Sequence, residues 1–284
     1  MFAPTLFKNR TILITGGGTG LGLAMGKALA QYGAHLILVS RNAEHLEHAA
    51  AALRTSKAEV VTLPCDIRDH TQVATMLDTA FATCGTIDGL INNAAGNIAA
   101  PTESLSPNAF LSVVGTVLHG SYFCTQQLGR RWIAAGARGT VLSIVTTYAW
   151  SGSAFVVPSA CAKAGVLAMT RSLAVEWGRH GIRLNAIAPG PFPTAGAWQR
   201  LMPPGLEQAM VARNPLGRVG RPEELAHLAL FLLSDAADYI NGECITIDGG
   251  EWLAGAGQFN ALSRLTREEW EALRAQAAGN NYGQ

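Results

Sequence analysis

The sequence predicts a single α/β domain: a doubly wound parallel sheet with helices on both faces. Three observations carry that expectation. Seven short apolar runs recur along 284 residues, with longer stretches of helical periodicity between them. Each run is apolar through its length instead of alternating, as strands covered on both faces are. No internal repeat, charge block or Gly/Ser-rich linker divides the chain, and such a sheet commonly fills this length as one unit, here residues 1–284.

The elements follow in order. The run at 11–15 (TILIT) enters a helix over 21–32 through a glycine-rich turn, and the run at 35–39 (HLILV) leads to a helix over 43–54. Next come 59–63 (EVVTL) with a helix over 70–83, and 89–92 (GLIN) with a long helix over 106–133. The run at 140–145 (TVLSIV) precedes a helix over 159–178, and 183–188 (RLNAIA) precedes a Pro- and Gly-rich stretch. That stretch, 191–215, follows a strand, where substrate loops commonly form in such sheets. A helix over 222–234 and a last run at 243–247 (ECITI) complete the alternation, which implies right-handed crossovers throughout. The C-terminal extension, 252–284, holds the capping box Thr266-Arg-Glu-Glu269, which predicts a helix to about Ala275 packed on the surface or on another subunit.

Composition narrows the function. Hydrophobic residues are 49% and charged residues 14%, enough for a large core and incompatible with wholesale disorder. Lys+Arg 21 against Asp+Glu 20 leaves +1, so no global field favours nucleic acid or an anionic membrane. The five cysteines (65, 84, 124, 161, 244) are scattered without a CxxC pair, which reads as reduced thiols and no metal site. No apolar run reaches the roughly 18 residues of a membrane span. The first strand starts too early to leave room for a leader peptide, and a cytoplasmic protein is the expectation.

The first chemical signal is Thr15-Gly-Gly-Gly-Thr-Gly-Leu-Gly22, after a strand and opening a helix. Gly16, Gly20 and Gly22, with Thr19 and Leu21 between them, would bring backbone amides and a helix N-terminus to a pyrophosphate. At the end of the second strand, where an NAD site usually places a carboxylate for the ribose hydroxyls, stand Ser40 and Arg41. Arg41 would grip a 2′-phosphate in a bidentate contact and Ser40 would donate as well, so the expected cofactor is NADPH. Asp66 after the third strand would meet the adenine amino group. Asn93 and Ala94, within Asn92-Asn-Ala-Ala-Gly96, would border the cofactor closely.

At this point the chain resembles the short-chain dehydrogenase/reductase family. The glycine pattern, Asn92-Asn-Ala-Ala-Gly96, Asn185-Ala-Ile-Ala-Pro-Gly190 and Ile247-Asp-Gly-Gly250 fall in family order from about residue 8 to 252. The resemblance implies a Rossmann-type domain, a homotetramer, and a nicotinamide and diphosphate lining that includes Pro189, Gly190 and Thr194. It also shows a departure. Ordinary members carry Tyr four residues before the catalytic Lys, but Ser159 holds that place before Lys163. Their usual active-site Asn corresponds to Val117 and their usual Ser to Thr146.

A narrower resemblance accounts for this. The segment from Thr146 to Lys163 is similar to the 2,4-dienoyl-CoA reductases of the mitochondrial type, in which the active tyrosine lies fifteen residues before the lysine. Tyr148 stands there. Asn97, followed by Pro101-Thr-Glu and Leu105-Ser-Pro-Asn108, matches the second active polar residue, and Gln258-Phe-Asn-Ala-Leu and Thr266-Arg-Glu-Glu-Trp270 look similar as well. The resemblance implies an acyl-CoA substrate reduced with NADPH to a 3-enoyl-CoA in unsaturated fatty acid β-oxidation. A carbonyl reductase must protonate an alkoxide and needs a Tyr–Lys acid beside it. A dienoyl thioester takes hydride at C5 and spreads charge to the thioester oxygen, which needs firm donors, and Tyr148 and Asn97 suit that task. Lys163 would bind the nicotinamide ribose and perturb nearby pKa values, and Ser159 would contact a cofactor or thioester oxygen. Arg200, Arg213, Arg218 and Arg221 are candidates for the CoA phosphates, and Phe192 and Trp198 for an acyl wall. Two rivals stay open: a reductase of another enoyl- or 3-oxoacyl thioester, and a catalytically silent nucleotide-binding scaffold.

Overall fold

The structure is a computed structural model and describes residues 2–54, 58–194 and 205–279. The strands are β1 (Thr11–Thr15), β2 (His35–Ser40), β3 (Val60–Pro64), β4 (Gly89–Asn92), β5 (Gly139–Ile144), β6 (Ile182–Pro189) and β7 (Cys244–Ile247). The principal helices are α1 (Gly20–Gln31), α2 (Ala43–Arg54), α3 (His70–Cys84), α4 (Pro107–Val114), α5 (Gly120–Ala135), α6 (Tyr148–Ser151) and α7 (Val157–Gly178). They continue as α8 (Leu206–Arg213), α9 (Pro222–Leu233), α10 (Glu251–Ala256) and α11 (Arg267–Gly279). The strands form one parallel sheet in the order β3-β2-β1-β4-β5-β6-β7, as the two-faced apolar runs predict.

Period-two alternation divides each strand between two cores. Ile12 and Ile14 of β1 join Leu36 and Leu38 of β2 beneath α1, α2 and α9. Leu13, Ile37 and Val39 point the opposite way, into a cluster with α3, α5 and α7. Complete burial of one such side chain stabilises by about 1.5–3 kcal/mol, so both faces must be covered. From β1 the chain winds outward to β3 and then returns to β4 on the other side of β1. The crevice at the carboxyl ends of β1 and β4 is therefore the switch point at which such sheets bind ligands.

Three local departures matter for function. The long helix predicted over 106–133 is interrupted: between α4 and α5, residues Gly115–His119 form a π-helical turn. Hydroxyls enter this ladder, with Thr116 donating to the Ser112 carbonyl at 3.0 Å and Ser121 to the Val117 carbonyl at 2.7 Å. Such widened turns favour functional sites, and Val117 lies within this one. The second departure is α6, a four-residue turn that starts at Tyr148. The third is at the end of the 191–215 stretch, where α8 is regular helix. The predicted capping box is present: Thr266 N donates to Glu269 Oε2 at 2.7 Å and Glu269 N to Thr266 Oγ1 at 3.2 Å, and α11 runs past Ala275. Among the described residues, no helix is long and apolar enough to cross a membrane, and no cluster of His, Cys, Asp or Glu suits a metal. All five cysteines are free.

Candidate active site

The glycine turn is held by its neighbours. Gly16 and Gly20 take positive φ of 65° and 55°, open to glycine and strained for other residues. A Cβ on Gly22 would lie 2.4 Å from the Gly16 carbonyl oxygen, and one on Gly16 would lie 2.9 Å from Ala94 Cα. Asn93 Nδ2 donates to the carbonyls of Thr15 at 3.0 Å and Gly16 at 3.1 Å, locking the turn to the end of β4. Thr15 Oγ1 completes the clamp, accepting from the amides of Asn93 and Ala94 at 3.1 Å each. Thr19 caps α1 in extended conformation without a side-chain bond to the helix amides, so the N-terminus of α1 is open to an anion. Gly16, Thr19, Gly20 and Leu21 line one long groove of about 2900 Å³, with Gly22 packed behind the turn. The glycines keep this tight turn beside the open N-terminus of α1, so the residues fit the pyrophosphate of a dinucleotide.

The end of the groove beside β2 and β3 is polar. Ser40, Arg41 and Asp66 all line the groove. The Ser40 hydroxyl donates to the Asn42 carbonyl at 3.1 Å and accepts from the Asn42 amide at 3.2 Å, a tight turn that holds the exposed Arg41 at its apex. Asp66 accepts from Arg68 Nε at 2.9 and 3.0 Å and from the Arg68 amide at 3.1 Å. The Arg68 side chain is also the main cause that lowers the Asp66 pKa, so the carboxylate is ionised and half-committed, with lone pairs left over. Asn42 and His45 line this end too and escaped the sequence reading. Asn42 Oδ1 accepts from the His45 amide at 3.0 Å, a cap signal for α2 that its Asn-x-x-His spacing contained.

Farther along, Asn97, Tyr148 and Lys163 line the same groove, as do Pro189, Gly190 and Thr194. Ser159 is buried behind them. Its hydroxyl lies 3.1 Å from the Tyr148 hydroxyl, so the fold brings these two expected site residues into contact. The Tyr148 amide donates to Thr146 Oγ1 at 3.1 Å, which turns the chain from β5 into α6. Lys163, one helical turn beyond Ser159, is buried and donates to the Ile144 carbonyl. Burial lowers its pKa from 10.5 to about 8. Asn97 Oδ1 accepts from the Ile98 amide at 2.9 Å. That bond orients the carboxamide and leaves Nδ2 as its donor end. Gly190 packs so closely on Asp248 that a Cβ would come within 2.6 Å of the Asp248 Cβ.

The other candidates divide. Trp198 and Arg200 lie outside the described residues. Phe192 lines the groove but is buried, and Gly220 lies so close that a Cβ there would strike its ring. Arg213 lines the groove and pairs with Glu251 at 2.6 Å. Arg218 and Arg221 both bind Glu224, at 2.7 and 2.9 Å, and neither lines the groove. The extension supplies much of one wall: residues 252–264 line the groove, and so does Trp270 on α11, the helix expected to pack on the surface or on another subunit.

The comparisons accord with this geometry. A family model described as enoyl-(acyl carrier protein) reductase matches residues 16–251. A Bacillus subtilis protein named "Probable 2,4-dienoyl-CoA reductase", (2E)-enoyl-CoA-producing, is 46% identical over 87% of this chain and 98% of its own. A Caenorhabditis elegans protein with the same name, but (3E)-enoyl-CoA-producing, is 40% identical over 93% of this chain and 88% of its own. The crystal structure of a short chain dehydrogenase from Bacillus anthracis superposes with a TM-score of 0.79 at 43% identity, covering 86% of this chain and 97% of its own.

Proposed function

Because this chain belongs to the short-chain dehydrogenase/reductase family, we propose that it reduces 2,4-dienoyl-CoA to 3-enoyl-CoA with NADPH, in the β-oxidation of unsaturated fatty acids. The observation that carries the reading is the Tyr148–Ser159 contact one helical turn before Lys163, with Asn97 on the same groove. Arg41 would hold the 2′-phosphate, the N-terminus of α1 the pyrophosphate, and Lys163 the nicotinamide ribose. When bound, NADPH supplies the hydride that reaches C5 of the dienoyl chain.

The residues then act on the charge this creates. The added electron pair displaces π electrons toward the thioester oxygen. The Ser159–Tyr148 contact can run in either direction; with Ser159 as its donor, the Tyr148 proton is free for the thioester oxygen, and Asn97 Nδ2 supplies the second donor. Collapse of the dienolate takes a proton from water at Cα, adjacent to the thioester, and leaves the double bond between C3 and C4.

A homotetramer and a reducing, cytoplasmic setting belong to the same reading. The free thiols suit the compartment. Phe110, Leu111, Tyr122 and Val175 are exposed apolar side chains on α4, α5 and α7 suited to subunit contacts. The deciding experiment follows NADPH oxidation with hexa-2,4-dienoyl-CoA, with acetoacetyl-CoA and without substrate, and identifies the product by chromatography. Turnover on the dienoyl substrate with 3-enoyl product supports the proposal. Preference for acetoacetyl-CoA makes the chain an oxoacyl reductase, and no turnover makes it a silent scaffold.

A further inference from the structure

Six large apolar side chains stand open to solvent along the groove: Trp252 at 36%, Trp270 at 37%, Leu206 at 39%, Phe155 at 61%, Leu253 at 65% and Phe259 at 72%. Scattered exposed hydrophobics need no explanation, but six along one groove make a patch that calls for an occupant. Most belong to the extension. It is fastened to the reacting end: the Trp252 ring meets Trp150, two residues after Tyr148, edge-to-face at 5.6 Å. Trp252 N donates to Asp248 Oδ2 at 2.9 Å, and Asn260 Nδ2 holds the Leu253 carbonyl at 2.8 Å. Arg264 adds a cation to the same lining, with no ion pair among the described residues.

The family match ends at residue 251, where this wall begins. Residues 252–264 therefore lie beyond the matched body and against its reacting end. We propose that residues 252–264 with Trp270 form a binding site for the aliphatic chain of a long-chain acyl thioester, and that this wall makes the enzyme selective for long chains. Continuity with the Tyr148 end names the occupant, and Arg264 complements the anionic carrier that such a chain brings. The proposal rests on the acyl-CoA reading above and names the substrate class of that site.

The test uses the full chain and saturated acyl-CoAs, which bind without being reduced. Calorimetry with hexanoyl-, octanoyl- and decanoyl-CoA should show Kd falling by about twofold to fourfold per added methylene, as burial of a CH₂ predicts. Trp252→Ala combined with Phe259→Ala should flatten that series, while Leu273→Ala, on α11 and away from the groove, should preserve it. Circular dichroism checks that each variant is folded. A flat series in the wild-type protein, or a full slope in the folded double variant, overturns the proposal. So does a double variant that changes only the sedimentation coefficient, which would assign the patch to a second copy of this chain. Length-dependent binding without dienoyl reduction sinks the proposed reaction and leaves this inference standing. Dienoyl reduction with no length dependence does the reverse.

Discussion

Tyr148→Phe removes one oxygen and separates the proposed chemistry from the fold. The ring and its packing at the start of α6 remain, and so does the Tyr148 amide bond to Thr146. Two things disappear: the donor proposed for the thioester oxygen and the partner of Ser159 Oγ at 3.1 Å. The second loss is a stability effect. One net hydrogen bond stabilises by about 1 kcal/mol, which lowers Tm by about 2–4 °C. The first acts only as charge develops, so it should appear in kcat with little change in affinity. Loss of one such donor typically costs roughly 10²–10³ in kcat, about 2.7–4 kcal/mol. The assay follows NADPH absorbance with hexa-2,4-dienoyl-CoA, beside NADPH binding by fluorescence and a thermal melt. Asn97→Ala should lower kcat through the same oxygen, and the double variant should fall short of additivity. A Tyr148→Phe enzyme with near-wild-type kcat would refute the reasoning and return Tyr148 to the status of a packed aromatic.

Three further expectations concern the cofactor and the relay. Arg41→Asp should raise KM for NADPH strongly while sparing or improving NADH use, because a charge-assisted phosphate contact contributes about 1.5–3 kcal/mol; equal wild-type use of the two cofactors would show that Arg41 selects nothing. Lys163 titrates near 8 in the fold and near 10.5 unfolded, so between those values the unfolded chain binds more protons and stability rises with pH. Its cation is lost above pH 8, and kcat/KM should decline there; a flat profile from pH 7 to 10 would exclude a role for the charge. Ser159→Tyr should reduce dienoyl-CoA turnover, since the new ring must displace the Tyr148 hydroxyl at a site only 2% exposed. Strong acetoacetyl-CoA reduction by that variant would mean that the pocket differs from an ordinary one by a single residue.

Much of this architecture was legible because burial on both faces writes strands as unbroken apolar runs. Every strand lies within one residue of its predicted range. Helix starts were legible where a side chain marks them, as at Thr266. The four-residue α6 was not, since less than two turns carries no period. Nor was the π-helical turn at Gly115–His119, whose wider spacing hides inside an otherwise helical pattern. The role of the extension was illegible for another reason. Trp150 and Trp252 meet only when the sheet brings distant segments together, and sequence spacing records nothing of that contact.

The replacement of tyrosine by Ser159 looks like a lesion when position 159 is read alone. On the proposed reading it is half of an exchange. Ser159 is buried against Tyr148, so its small side chain makes room for the incoming phenol and its hydroxyl bonds to it. Lys163 keeps its place on the same helix face, anchored through the Ile144 carbonyl rather than through a tyrosine. Val117, the counterpart of the usual asparagine, is 1% exposed and packs with Val145, Val166 and Ala188. A buried polar side chain there would need partners that this apolar cluster lacks. On the proposed reading these changes are coupled: apolar Val117 removes one branch of a proton relay, and Tyr148 with Asn97 provides two donors for a delocalised charge. An alkoxide demands a proton at one oxygen, whereas a dienolate demands stabilisation while water delivers the proton elsewhere. The substitutions at 117, 148 and 159 are the pattern expected of a site rebuilt for the second demand.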